Sequence, residues 1–205
     1  MAFYSERVLP HLVDRTCGIE GFDRWRKEAV EGLSGTVLEI GFGSGLNVAL
    51  YPEDVERVVA VEPSAVARRL AEPRISERGV TVEHVGLDGS VLEMEDHSVD
   101  AALCTFTLCT IPDVDAALSE VRRVLRPGGR FQVLEHGLAP DPGVVRWQRR
   151  MEPLQKVMAG GCHLTREPLV MLERAGFHVE SSRSRYGKGP KPWTYLTVAH
   201  STSPG

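Results

Sequence analysis

One stretch of the sequence decides the fold, TVLEIGFGSGLN at residues 36–47. A short apolar run breaks into three glycines at alternate positions, Gly41, Gly43 and Gly45, and then enters a helical pattern. This order predicts a strand that stops at Gly41 and a helix that begins near Ser44. Because glycine has no Cβ, a ligand can lie directly against such a turn, and a helix N-terminus offers unpaired N–H groups. The stretch therefore indicates a site for a nucleotide-like ligand.

Composition and charge are those of an ordinary soluble globular domain. The 205 residues suit one domain with a sizeable core, and 42% of them are hydrophobic and 25% charged. A net charge of −4 argues against a protein that acts on nucleic acid or anionic lipid. No apolar run approaches the ~20 residues of a membrane span, and residues 1–7 are too polar for a secretory signal. We therefore expect a cytoplasmic protein without an integral membrane segment.

The cysteines show no paired CxxC spacing. They stand at Cys17, Cys104, Cys109 and Cys162. Neither a zinc site nor a disulfide framework is indicated by these spacings, so no metal is expected. Cys104 and Cys109 are interpreted as thiols of the core or of a pocket wall.

Strand and helix patterns alternate along the chain after a helical beginning. Residues 1–33 predict helices, because apolar residues recur there at four-residue spacing. Pro153 is expected to break the helix that contains it. The remaining predicted helices lie at 46–50, 65–71, 114–125, 147–158 and 169–175, and the predicted strands at 37–40, 58–61, 80–85, 99–106, 130–135, 177–182 and 194–199.

This alternation predicts an α/β fold. Strands joined by crossover helices form a parallel sheet covered on both faces, and right-handed connections make it doubly wound. The last two strands suggest a C-terminal antiparallel hairpin in a mostly parallel seven-stranded sheet. We expect a helical cap at 1–33, which we interpret as a lid, one domain at 34–200 and a tail at 201–205, with fraying from His200. Ligands of such sheets bind beyond the carboxyl ends of the strands.

Three acidic residues near the predicted strand ends are candidates for ligand binding. Glu62 ends the second strand, where its two carboxylate oxygens can accept both hydroxyls of a ribose; alone, it reads equally well as a solvated acid. Asp88 follows the third strand and could accept from an adenine amino group, with Gly89 allowing close approach, although Asp-Gly is also a strong turn signal. Glu39 lies inside the first strand, where it can position the glycine turn or meet a cationic ligand group.

At this point the chain resembles the class I S-adenosylmethionine-dependent methyltransferases. The resemblance is carried by VLEIGFGSG (37–45), VAVEP (59–63), SVD (98–100) and LRPGG (125–129), in that order. It implies S-adenosylmethionine as cofactor and S-adenosylhomocysteine as product. It implies that Glu39 and Gly41–Gly45 cradle the methionine part, that Glu62 holds the ribose and that Asp88 and Gly89 flank the adenine. The further cofactor contacts expected are Phe42, which replaces a frequent cysteine or alanine, Asn47, Pro63, Thr105 and Phe106.

A narrower likeness is to the methyltransferase-like-seven family. It rests on VDAALCTFTLC (99–109), EH (135–136) and GCHLTRE (161–167). Animal members of that family are thiol S-methyltransferases held on membranes by an apolar N-terminal segment. Because the beginning of this sequence is polar, we do not extend membrane attachment to it. The acceptor is the property that transfers least between relatives.

His136 follows the fifth predicted strand at the ligand edge. It can orient or deprotonate a methyl acceptor, and it can equally be a structural histidine bonded to the backbone. Glu135 can anchor local structure in the same strand. Cys162 and His163 are interpreted as pocket lining or helix entry, because adjacent residues rarely face each other.

The predicted function is methyl transfer to a small-molecule acceptor. A thiol suits the site because its pKa of about 8.5 leaves some thiolate at neutral pH. An oxygen or amine acceptor fits the same residues, and the oligomeric state stays open. Two alternatives remain: a cofactor-binding regulatory protein without turnover, and a nicotinamide-dependent oxidoreductase, whose glycine fingerprint differs from the one found here.

Overall fold

A computed structural model describes residues 4–86 and 91–205 of the chain. The strands are β1 (Gly35–Ile40), β2 (Val55–Val61), β3 (Thr81–His84), β4 (Val99–Thr105), β5 (Leu125–His136), β6 (His178–Tyr186) and β7 (Tyr195–Thr202). The helices are α1 (Leu9–Cys17), α2 (Asp23–Val30), α3 (Ala65–Arg78), α4 (Val114–Val124), α5 (Pro142–Met158), α6 (Pro168–Arg174) and α7 (Lys191–Thr194), with a π-helical turn at Tyr4–Val8 and 3₁₀ turns at Glu20–Phe22 and Val48–Leu50.

The described residues form one seven-stranded sheet in the order β3-β2-β1-β4-β5-β7-β6. Neighbouring strands from β3 to β5 are parallel, whereas β7 lies antiparallel between β5 and β6. The predicted α/β class, doubly wound topology and C-terminal hairpin are confirmed. The strand order reverses between β1 and β4, which is the place where sheets of this class bind ligands.

Both faces of the sheet are covered by apolar layers. Along β1 the side chains alternate, so that Val37 packs in the layer that contains α2 and Leu38 in the layer that contains α4. Both residues are fully buried. A strand buried on both faces is mostly apolar along its length, and this is why the first strand is hydrophobic at Val37, Leu38 and Ile40, with Glu39 as the exception. Among the described residues, no helix is long and apolar enough to cross a membrane.

The helix predicted after the glycine turn is wrong in extent. Where residues 46–50 were expected to begin a helix, the chain forms only the 3₁₀ turn Val48–Leu50. Tyr51 has extended backbone angles (φ −57°, ψ 137°) because the following residue, Pro52, excludes the helical region. The backbone N–H groups near the turn therefore belong to a short loop, and no helix N-terminus is presented there.

Two further expectations are corrected. Pro153 does not break its helix: it is exposed within α5, where the carbonyl that loses its partner can be solvated. Fraying from His200 is also wrong, because β7 continues to Thr202 and pairs there with β5. The Ser201 hydroxyl donates to the Phe131 carbonyl at 2.7 Å, and the Ser203 N–H donates to the Gly129 carbonyl at 2.8 Å.

Candidate functional site

A cavity of about 400 Å³ opens at the carboxyl ends of β1, β2 and β4. This is the edge that the sequence predicted to bind a ligand. The cavity walls come from the glycine loop, from the ends of β2 and β4, from the N-terminal segment, and from the loops after β4 and α5. The lining residues include Leu9, Pro10, Val13, Cys17, Arg26, Gly41, Phe42, Gly43, Ser44, Asn47, Glu62, Pro63, Ser64, Thr105, Phe106, Thr107, Thr110, Ile111, Ala159 and Gly160.

The glycines of the turn have three different reasons to be glycine. All three have positive φ, at 73° for Gly41, 57° for Gly43 and 73° for Gly45. A Cβ on Gly41 would overlap the side chain of Thr107, whereas the nearest atom to a Cβ on Gly43 would be the Gly41 carbonyl oxygen, at 3.8 Å. Gly45 packs against Ala71 of α3 and does not line the cavity. Gly43 is thus the position at which the bare backbone faces open space.

Glu62 joins the end of β2 to the glycine turn. Its carboxylate is 8% exposed and accepts from the backbone N–H of Gly43 at 2.8 Å and from that of Ser64 at 2.7 Å. Burial raises the pKa of this carboxyl. Each oxygen has a second acceptor site, so the carboxylate keeps capacity for ribose hydroxyls while it holds the turn.

Glu39 lies behind the turn and does not line the cavity. It is buried and accepts hydrogen bonds from Asn47 Nδ2 (2.6 Å) and from the hydroxyl of Tyr51. Burial raises the pKa of Glu39 to about 7. Of its two predicted roles, the structure supports the positioning of the turn, because the carboxylate holds the side chain of Asn47 by a hydrogen bond. The contact of Tyr51 with Glu39 was not predicted from the sequence. The only local sign of it is that Tyr51 precedes Pro52.

Arg26 is a site residue that sequence analysis missed. Its guanidinium is 3% exposed and Nη1 donates to Asn47 Oδ1 (2.8 Å) and Thr105 Oγ1 (3.1 Å). The guanidinium also lies over the Phe106 ring, 5.3 Å from its centroid. Arg26 sits between apolar helix positions, where an arginine usually faces solvent, and the sequence contains no sign that this one is buried.

The end of β4 reaches the cavity in an unusual backbone conformation. Phe106 has a φ of 54°, which is uncommon for a residue with a Cβ, and its N–H donates to the Leu134 carbonyl at 2.8 Å. Its ring packs 5.2 Å from that of Phe22. This conformation places Thr105 and Phe106 on the cavity wall, as the sequence predicted for cofactor contacts.

The N-terminal segment covers one side of the cavity. Asp14 accepts from the hydroxyl of Ser44 (2.6 Å) in the glycine loop and pairs with Arg74 of α3 (3.0 Å). The Tyr4 hydroxyl donates to the Met158 carbonyl at 2.8 Å. Asp14 thus ties α1 to the glycine loop, and Tyr4 ties the preceding π-helical turn to the end of α5.

His136 lies outside the lining of the cavity. Its Nε2 is 3.2 Å from Cys162 Sγ, and the two groups and Cys109 have donor atoms within 4.8 Å of one another. The Cys109 thiol and the His136 imidazole lower the pKa of Cys162. The neighbouring Glu135 accepts from the N–H groups of Thr107 and Leu108, which shapes the turn after β4. Adjacent Cys162 and His163 do diverge: His163 Nδ1 contacts the Cys109 carbonyl at 3.1 Å.

The structure therefore assembles most of the predicted residues. Those that line the cavity are Gly41, Phe42, Gly43, Asn47, Glu62, Pro63, Thr105 and Phe106. Glu39, Gly45 and His136 lie behind its wall. Asp88 and Gly89 lie outside the described residues. The open backbone at Gly43, the spare acceptor capacity of Glu62 and the ring of Phe106 fit a nucleoside cofactor.

Several proteins of known name are similar to this chain. A family model described as "Methyltransferase domain" matches residues 38–133. Thiol S-methyltransferase TMT1B of Rattus norvegicus is 34% identical over 80% of this chain and 66% of its own length. TMT1A of Homo sapiens is 36% identical over 69% of this chain and 59% of its own length, and TMT1B of Homo sapiens is 35% identical over 83% and 70%. The chain thus spans two thirds or less of the first two of these relatives.

Solved structures confirm the fold. A putative methyltransferase of Bacillus halodurans superposes with a TM-score of 0.73 at 17% identity, covering 89% of this chain and 99% of that one. The [4+2]-cyclase SpnF superposes with a TM-score of 0.69 at 21% identity, covering 89% and 80%. Such identities show the fold alone, and the cyclase illustrates how many reactions one fold can host. On the longer matches above, the chain belongs to the class I S-adenosylmethionine-dependent methyltransferases, in the same family as the thiol S-methyltransferases.

Proposed function

We propose that this protein transfers a methyl group from S-adenosylmethionine to the thiol of a small molecule. The observation that carries the proposal is the shared carboxylate of Glu62, which holds the N–H of Gly43 and faces the same cavity as the open glycine backbone. A ribose acceptor and a bare backbone surface in one unit are what a nucleoside cofactor requires. S-adenosylmethionine supplies, when bound, a methyl group already activated on a sulfonium.

The residues of the site divide into those that contact the cofactor and those that position the contacting residues. Gly43, Glu62 and Phe106 present their backbone, carboxylate and ring to the cavity. Arg26, in the cavity wall, and Glu39, behind it, both fix the side chain of Asn47 through hydrogen bonds. Positioning is the main task of such a protein, since the donor methyl needs no further activation.

The thiol acceptor is supported by the relatives and by the chemistry of the cavity. The relatives named above are thiol S-methyltransferases. Leu9, Val13 and Ile111 make part of the wall apolar, which suits a small apolar acceptor. A thiol needs only modest help to form its thiolate near neutral pH, so a strong dedicated base is not required.

We also propose that residues 1–33 act as a cap on the cofactor. The supporting contacts are those of Asp14 with Ser44 and Arg74, which place α1 against the glycine loop. A segment in this position has to move for a bound cofactor to leave. The catalytic domain then begins at residue 34 and includes all of β7, which ends at Thr202.

The first test is calorimetric titration with S-adenosylmethionine and S-adenosylhomocysteine, with NADH as the control ligand. We expect micromolar binding of the two sulfur nucleosides and none of NADH. Preferential binding of NADH would instead favour the oxidoreductase alternative and overturn the proposal.

The second test is a methyl-transfer assay with radiolabelled cofactor and matched alkyl thiols, alcohols and amines. We expect labelled thioether from the thiols. Binding of the cofactor without product from any acceptor would favour the regulatory protein without turnover, and product from alcohols or amines alone would overturn the thiol assignment.

A further inference from the structure

Three side chains with metal-binding atoms meet beside the cavity. Cys109 comes from the turn after β4, His136 from the end of β5 and Cys162 from the loop before α6. Their two sulfurs and a ring nitrogen all lie within 4.8 Å of one another, and Cys162 Sγ is 3.2 Å from His136 Nε2. These residues are far apart in the sequence, and this explains why cysteine spacing indicated no metal site.

The cluster is buried and its backbone is held in place. Cys109, His136 and Cys162 are 3%, 9% and 6% exposed. The Cys109 carbonyl accepts from the His163 N–H at 2.8 Å, and the Cys162 N–H donates to the Ala159 carbonyl at 3.1 Å. The loops that carry the two thiols are therefore bonded to each other. Preorganised ligands of this kind lower the cost of closing a metal site.

The cluster also contains hydrogen-bonding capacity that the described residues leave unused. His136 Nδ1 and Glu135 Oε2 are buried and have no hydrogen-bond partner among the described residues. Buried polar atoms are nearly always satisfied, so two orphans in one place indicate that the site takes up a further group.

The donor set points to a particular class of metal. Two cysteine sulfurs and one imidazole are soft or borderline ligands, which suit zinc and do not suit calcium or magnesium. Zinc–sulfur bonds of about 2.3 Å and zinc–nitrogen bonds of about 2.0 Å need only small inward movements of atoms that already lie this close. Three protein ligands leave one tetrahedral position, as in catalytic zinc sites.

We propose that Cys109, His136 and Cys162 bind one Zn²⁺ ion beside the cofactor cavity. The ion lies close to the cavity, since Thr110, Ala159 and Gly160 line the cavity beside Cys109 and Cys162. The metal site is separated from the cavity by the wall that those residues form, so the ion fixes the loops that carry this wall.

The metal site is tested on the full chain, purified without a metal-binding tag and analysed for bound metal by mass spectrometry. We expect about one zinc per chain after zinc reconstitution, and its loss in Cys162→Ser and His136→Ala. The matched control is Cys17→Ser, which removes a thiol of the cavity wall outside the cluster and is expected to keep the metal. Absence of zinc from the reconstituted wild type overturns the proposal, as does retention of zinc in both cluster variants.

A measurement on the wild type avoids the risk that a variant misfolds. Replacement of zinc by Co²⁺ is expected to produce the near-ultraviolet charge-transfer absorption of a cobalt–thiolate bond. Absence of that absorption, or an intact mass reduced by the two hydrogens of a Cys109–Cys162 disulfide in place of metal, overturns the site.

Discussion

The carboxylate of Glu62 accepts a hydrogen bond from the backbone N–H of Gly43 at 2.8 Å, across nineteen positions of the chain. The acid at the end of β2 and the glycine turn after β1 are therefore one mechanical unit. A change at either residue disturbs the other, because the same carboxylate also accepts from the Ser64 N–H at the start of α3. The two features that indicated a nucleoside site in the sequence are directly bonded in the structure.

Replacement of Glu62 by alanine should lower the affinity for S-adenosylmethionine. We expect a loss of about 10- to 100-fold, since a hydrogen bond to a charged group contributes about 1.5–3 kcal/mol and every 1.4 kcal/mol is tenfold. Calorimetric titration measures the change. The control is Glu83→Ala, which removes an exposed acid from the neighbouring strand β3. Equal affinities of the two variants would contradict the role of Glu62.

Gly41→Ala should destabilise the protein more than Gly79→Ala. Both glycines have positive φ, at 73° and 71°, so both substitutions share the conformational cost of about 1–2 kcal/mol. A Cβ on Gly79 meets nothing within 4 Å, whereas one on Gly41 overlaps Thr107. Denaturant unfolding should therefore show an additional loss of at least about 1 kcal/mol for Gly41→Ala. Similar losses for both variants would show that the turn can relax.

Arg26→Met should destabilise the protein by about 2–4 kcal/mol, because it leaves Asn47 Oδ1 without the donor that Arg26 supplies and removes one of the two donors to Thr105 Oγ1. Arg24→Met, on the exposed side of the same helix, should stay within about 0.5 kcal/mol of the wild type. Thermal and denaturant unfolding measure both variants. A small effect of Arg26→Met would mean that the hydrogen bonds of Arg26 do not outweigh the cost of burying its charge.

The stability of the protein should fall as the pH rises from about 4.5 to 7. Burial raises the pKa of Glu39 to about 7 in the folded state from an ordinary value of 4.5, so in this interval the folded protein holds a proton that the unfolded chain releases. The unfolded chain is thereby favoured as pH increases, by about 1–3 kcal/mol over the interval. Above pH 7 both states are ionised and the loss is complete.

Denaturant unfolding at pH 5 and pH 7.5 measures this dependence. Glu39→Gln, which cannot ionise, should lose less stability between the two pH values than the wild type, whatever its absolute stability. Glu72→Gln, on the exposed face of α3, should keep the wild-type dependence. An unchanged dependence in Glu39→Gln would assign the effect to other groups.

Asp14→Ala should loosen the N-terminal cover. Because Asp14 holds both Ser44 and Arg74, its loss should speed proteolytic cleavage within α1 several-fold, and S-adenosylhomocysteine should protect the wild type more than the variant. Asp115→Ala, which removes an exposed ion pair with Arg174, is the control. Cleavage of α1 that is unaffected by both the variant and the nucleoside would argue against a lid.

Local patterns in the sequence predicted the sheet and its ligand edge. Alternation of apolar runs and amphipathic helices specifies parallel strands, and the glycine turn with Glu62 marks the edge where they end. The prediction went wrong where a neighbour far along the chain decides: His200 reads as the start of a polar tail, yet it pairs with Gln132 of β5. The helix predicted at 46–50 was wrong for a local reason: Pro52 keeps Tyr51 extended, so that only the short turn Val48–Leu50 forms.

What the sequence by itself determined is the order of the elements, the class of the fold and the ligand edge marked by the glycine turn and Glu62, because those depend on periodicity and on neighbours within a few positions. Only the tertiary structure decided that Arg26 is buried beneath Asn47 and that Cys162 meets His136 and Cys109. Such contacts join elements that come together only when the sheet closes, and no spacing along a single chain encodes them.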